Sequence, residues 1–236
     1  MFNLIWKKLE DEKDQSFKTI YYQQMFLYLV GEEHIMEALK WLSDNKVRTP
    51  EGNVIEGVAL QQEDRHRIIR CLFALPDFDQ KEKDKVLSQE LEKDTSQKAK
   101  LLEKTCYALT PTKERKLEVW NTLFAEKQTI SYYERSALIA GFWHYKQSEV
   151  LAPYYEKFLQ ALPEIAERGD NDYKKAIVSG MCPHFGLSFE FLDHLDELGK
   201  KYESDLKYDQ FVRALKDRAE QLRIQKEVKD FAASRN

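Results

Sequence analysis

Glycine and proline are scarce in this chain, with 8 and 6 among 236 residues. Tight β turns draw on both, so a sandwich or barrel of many short strands is not expected. Cysteine is rarer still. Cys71, Cys106 and Cys182 are odd in number, far apart and form no C-x-x-C pair. They read as small core residues of a reduced, intracellular protein, with a cytoplasmic location expected. Long apolar runs are missing as well. "MFLYLVG" from Met25 is too short to cross a bilayer, and "MFNLIWKKLEDEKD" turns charged after six residues, so neither a membrane segment nor a signal peptide is read. Charge of one sign is absent: 37 Lys and Arg mix evenly with 41 Asp and Glu, for a net charge of −4. Without a basic stripe, no nucleic-acid partner is expected.

What is present is helix. Apolar residues recur at a spacing of three to four nearly everywhere. Helices are predicted over about 15–30, 32–42, 62–74, 80–91, 96–109, from 111, from 131, over 153–162, 172–181 and 188–202, and from 205 towards 231. Gly31 is expected to end the first of these in a left-handed cap. "KVRTPEGNVIEGVAL" (46–60) reads as a loop with a short extended piece. Asp79 with Glu82, and Ser131 with Glu134, are capping pairs; Thr110 and Pro111 are expected as cap and first residue of the next helix. Leu117, Trp120, Leu123 and Phe124 make that helix's expected inner face. About eleven helices joined by short linkers, with no low-complexity break, predict an all-α fold in one domain spanning 1–236. Their pairing suggests a HEAT/armadillo-like solenoid of antiparallel helix pairs.

Motifs for chemistry are lacking. None of His34, His66, His144, His184 and His194 opens H-E-x-x-H, and no nucleophile elbow, P-loop or G-x-G-x-x-G occurs. Glu190 and His194 share a helix face near Cys182 and His184, but two donors fall short of a zinc ligand set. The run "DQKEKDKVLSQELEKD" (79–94) reads as a solvated helix face laced with opposite charges. No catalytic or metal-ligating residue is assigned to the chain.

One stretch is dense enough to resemble a ligand site. Around Trp143, His144 and Tyr145 stand Phe142, Tyr154 and Tyr155. On a helical wheel Tyr133, Ala137, Ala140, Gly141 and His144 share one face, and Leu138, Phe142 and Tyr145 another. That describes an inner helix, so the aromatics read as a packing seam, with Trp143 claimed by neither face.

The same stretch carries a family pattern. Gly141, Phe142, Gln147, Glu149, Leu151, Pro153, Tyr154, Phe158, Leu162 and Pro163 fall at the spacing of G-F-x4-Q-x-E-x-L-x-P-Y-x3-[YF]-[FL]-x2-L-P. Pro111, Thr112, Lys116 and Trp120 meet a second block, P-T-x3-K-x3-W, and "KDTSQKA" (93–99) a third. In these blocks the chain resembles the C-terminal helical domain of the aminopeptidase N family of zinc metalloaminopeptidases. His66 departs from the family, where many bacterial members have Trp.

The resemblance implies a parent enzyme that removes N-terminal residues from peptides with one zinc ion. That ion would sit in a separate thermolysin-like domain carrying H-E-x-x-H and G-x-M-E-N. This chain has neither, and no cofactor of its own is expected. It would be the non-catalytic C-terminal domain, inactive alone, whose partners are the catalytic domain of the same polypeptide and peptide substrates. Such a domain is a curved solenoid that covers the zinc site, closes a chamber and restricts entry. A peptide's far end would need a cation, and Arg135, Lys146, Lys174 and Lys175 are the candidates, each also readable as a solvated surface residue. A stand-alone helical-repeat interaction module, or an enzyme with an unrecognised site, are the other readings.

Overall fold

Phe2, Trp6 and Leu9 stand four and three residues apart, the spacing that puts three side chains on one helix face. In the computed structural model they are buried on α1 (Phe2–Asp11), a helix missing from the sequence-based expectation. The structure describes residues 1–127, 129–168 and 170–234. Among the described residues there are thirteen α-helices and no strand, only a single bridge between Arg48 and Val54. The chain is all-helical, and none of its helices is long and apolar enough to cross a membrane. It divides into two compact units, Met1–Pro111 and Thr112–Asn236.

The first unit continues with α2 (Gln15–Met25), α3 (Glu32–Lys40), α4 (Gln62–Phe73), α5 (Gln80–Lys93) and α6 (Gln97–Leu109). The tail of α2 tightens into a 3₁₀ turn at Phe26–Tyr28, and α3 does the same at Trp41–Ser43. Gly31 has φ −76° and opens α3 instead of closing α2 with a left-handed cap. The 3₁₀ turn and the Val30 N–H bonded to Tyr28 O end the helix without needing positive φ. The core holds Phe2, Trp6, Leu9, Met25, Trp41, Ile68 and Leu72, with Trp6 and Trp41 edge to face at 5.7 Å. On α2 Phe17 and Ile20 are exposed, while Tyr22 and Met25 carry the burial. The expected loop is anchored by buried Val47, Ile55 and Leu60, and its turns fall at Gly52 and Gly57, both with positive φ.

The second unit comprises α7 (Lys113–Phe124), α8 (Tyr132–Phe142), α9 (Ser148–Leu151), α10 (Pro153–Glu167), α11 (Asn171–Met181), α12 (Phe189–Tyr202) and α13 (Asp209–Ala233). Thr112, not Thr110, caps α7, accepting the Arg115 N–H at 3.2 Å. Thr110 instead closes α6, its hydroxyl donating to Cys106 O, so Pro111 lies outside either helix. On α7 the buried face is Lys116, Val119, Trp120 and Leu123, while Leu117 is exposed. The sequence-based end of α10 falls at about Leu162, just ahead of Pro163. The helix continues to Glu167, because burial of Ile165 and Ala166 offsets the one backbone bond that proline forfeits. α11 packs on α8, α10 and α13. At Gly180 of α11 an added Cβ would stand 2.3 Å from Ile139 Cγ2 of α8.

Candidate functional site

The two family-pattern blocks converge on one cluster in the second unit. Lys116 has no exposed surface, and its Nζ donates to Phe142 O at 2.7 Å. Phe142 is the last residue of α8, so the ammonium occupies a helix end where carbonyls lack partners and the dipole is negative. The same Nζ lies 5.3 Å from the centre of the Phe142 ring. Trp120, one turn along α7, stacks on Phe124 at 3.9 Å and meets Phe142 and Tyr154 at 6.0 and 5.2 Å. Phe142 and Tyr154 close the group edge to face at 5.1 Å. Burial pulls the Lys116 ammonium down to about 7. The arrangement ties α7, α8 and α10 together through rings and one charge-assisted hydrogen bond.

The other pattern residues surround this group in supporting places. Gly141 and Gln147 are buried, Thr112 caps α7, Pro153 is the first residue of α10, and Glu149 faces solvent. Pro111 ends the first unit. α8 stops at Phe142, so the residues beyond it do not obey the helical wheel drawn from the sequence. Trp143 is extended, buried, and donates its indole N–H to Met181 O at 2.9 Å. His144 and Tyr145 lie beyond the helix, stacked on each other at 4.7 Å, and Tyr145 is exposed. Tyr133, assigned to an inner face, is 65% exposed because it belongs to the first turn of α8. The His144 Nδ1 accepts the Lys146 N–H at 3.4 Å. Burial, joined by the nearby charges of Lys146 and Lys116, pushes His144 down to about 4.

Of the four cations considered for a peptide end, Arg135 and Lys174 are buried, against the solvated reading. The Arg135 guanidinium lies over the Tyr173 ring at 5.3 Å, where a planar cation loses less by desolvation than an ammonium would. Lys146 is half-buried. Lys175 is exposed and borders a cavity of about 490 Å³ with Ser179, Asp209, Arg213, Asp217 and Arg218.

The run 79–94 is not solvated throughout. Lys83 is fully buried and donates to Phe73 O and Leu75 O at the end of α4. Glu90, seven residues on and so on the same face of α5, is 4% exposed. It receives the Arg65 Nε–H at 2.9 and 3.1 Å on its two oxygens. Beside it are Asp94 and His66, whose Nε2 lies 3.5 Å from Glu90 Oε1 and 3.6 Å from Asp94 Oδ2. Glu90 and Asp94 stand four apart in the sequence, but nothing in the sequence placed His66 against them. The Glu190, His194, Cys182 and His184 donors form no such group among the described residues.

The chain is thus all-helical, and its pattern residues Lys116, Trp120, Phe142 and Tyr154 are buried together. No family model matches the chain. It is 29% identical over 142 residues to an aminopeptidase N of Streptomyces lividans, a match covering 60% of this chain and 16% of that protein. The chain therefore spans well under a fifth of the relative's length, and the similarity supports a partial relation to aminopeptidase N.

Proposed function

We propose that the chain is the non-catalytic C-terminal helical domain of a zinc aminopeptidase, which caps the catalytic domain, closes the substrate chamber and limits peptide entry. The observation that carries this reading is the partial match to aminopeptidase N, together with the burial of the pattern residues Lys116, Trp120, Phe142 and Tyr154 in one cluster. A framework of this kind needs shape rather than reacting groups.

Its architecture is a HEAT/armadillo-like array. Consecutive helices pack on each other at α1/α2, α7/α8 and α12/α13, and alternate ones at α4/α6 and α11/α13, the ladder expected when helix pairs stack. Zinc belongs to the parent's catalytic domain. The catalytic zinc motif H-E-x-x-H is absent from this sequence. Peptide contact falls to Lys175 with Arg213 and Arg218, the cations bordering the 490 Å³ cavity. The parent's compartment is cytoplasmic on this reading.

Two measurements test it. The reading frame preceding Met1 in the gene is expected to encode H-E-x-x-H and G-x-M-E-N. The purified chain is expected to leave aminoacyl-aminocoumarin substrates intact with zinc present. Turnover abolished by a chelator would overturn the non-catalytic assignment, and a native start at Met1 would favour a stand-alone interaction module.

A further inference from the structure

The polar cluster on α4 and α5 is built for a cation. His66 is 2% exposed, and its Nε2 has no hydrogen-bond partner although it is aimed at two carboxylates. Nε2, one Glu90 oxygen and one Asp94 oxygen all lie within 4.8 Å of one another. The group can therefore hold either a proton on Nε2, directed at a carboxylate, or a metal ion among the three lone pairs. We propose that His66, Glu90 and Asp94 bind a first-row divalent transition ion, of the zinc class, that clamps α4 to the C-terminal end of α5.

The distances suit such an ion. Ligand bonds of about 2.0–2.2 Å in a tetrahedral shell put neighbouring ligand atoms about 3.4 Å apart. The two imidazole-to-carboxylate distances are 3.5 and 3.6 Å. Both carboxylates are also held by hydrogen-bond donors, as metal ligands commonly are. Arg65 fixes Glu90 through its Nε–H. A carboxylate has about four lone-pair sites, so this bond leaves Oε1 able to bind an ion. Gln62 donates to Asp94 Oδ2 at 2.5 Å, and the Ser96 N–H donates to Oδ1 at 2.9 Å. An imidazole with two carboxylates is a mixed N/O set, which favours zinc and its neighbours over magnesium or calcium. Three protein ligands leave a fourth place for water.

The competing occupant is a proton on Nε2. The full chain, stripped with a chelator and dialysed against micromolar zinc chloride, separates the two. One zinc per chain is expected by elemental analysis, with a rise in melting temperature. His66→Gln, Glu90→Gln and Asp94→Asn should each remove both effects. Gln62→Ala, which releases Asp94 and a bond to the Ser96 hydroxyl, should weaken zinc binding by roughly 10–100-fold. Cobalt in place of zinc should give visible ligand-field bands without thiolate charge transfer, since no cysteine belongs to the group. If His66→Gln fails to fold by circular dichroism, Asp94→Asn and Gln62→Ala, at the cluster's edge, carry the test. Absence of stoichiometric zinc, binding that survives the carboxylate changes, or thiolate charge transfer would each overturn the proposal. So would a metal-free His66 found as imidazolium by nitrogen-15 NMR in the presence of zinc.

Discussion

Phe142 combines two duties at one position. Its ring is fully buried between Trp120, Trp143 and Tyr154, and its carbonyl accepts the Lys116 ammonium. Truncating the ring removes aromatic contacts and leaves a cavity that packed helices cannot readily fill. Phe142→Ala is therefore expected to cost about 3–5 kcal/mol, read from urea denaturation. A loss well under 1 kcal/mol would show that the seam is not core. The sequence pointed to Phe142, Trp120 and Tyr154 because their rings recur at helical spacing, although Tyr133 at that spacing is exposed. It did not point to Lys116 as buried, or to Lys83 and Glu90. Charged side chains are read as solvated by default, and only the tertiary partner decides otherwise. For Lys116 and Lys83 that partner is a helix-end carbonyl, and for Glu90 it is Arg65.

At the level of elements, the side-chain caps were the most legible feature. Asp79 and Ser131 each bond a backbone N–H of the helix they open. Where two candidates stood close, as at Thr110 and Thr112, local pattern could not choose, because Thr110 serves equally well at the end of α6. Thr112→Ala should cost α7 about 1 kcal/mol, with Thr112→Ser restoring most of it. Thr110→Ser and Thr110→Ala should leave the start of α7 unchanged if the assignment is right. The contact between α8 and α11 was not legible at all. The tight approach is at Gly180 against Ile139. Which glycine meets a neighbour depends on how two helices cross, and that information is spread over both. Gly180→Ala is expected to destabilise by about 1–3 kcal/mol in thermal or urea unfolding, despite Ala being the better helix former. Shortening Ile139 to Ala in the same chain should recover part of that loss, since it removes the methyl in the way.

Over the whole molecule, buried groups make stability depend on pH in a predictable direction. Lys116 is held near 7 and Lys83 near 8, both by burial, against 10.5 when unfolded. Above those values the unfolded chain holds protons that the folded chain has released, so stability rises as pH rises. Below them both states are protonated and the contribution is flat. His144, held near 4 against 6.5, acts with the same sign lower down, so stability falls as pH drops from 6.5 towards 4. The upper rise is limited by acids with the opposite shift. Burial pushes the Cys182 thiol up to about 12, and raises Cys106 and Tyr22 further, so from about pH 9 the unfolded chain sheds protons that the fold retains. Stability is thus expected to peak near pH 9, higher than for most proteins. Lys116 alone should contribute a slope of up to about 1.4 kcal/mol per pH unit between 7 and 9. Urea denaturation at several pH values, on the parent chain and on Lys116→Met, isolates it. The methionine keeps the apolar stem in the seam and removes the proton, so its profile should be flatter over that window. Equal slopes in the two proteins would mean that the Phe142 carbonyl and ring stabilise the ammonium enough to cancel the burial, and the predicted alkaline gain would then be wrong.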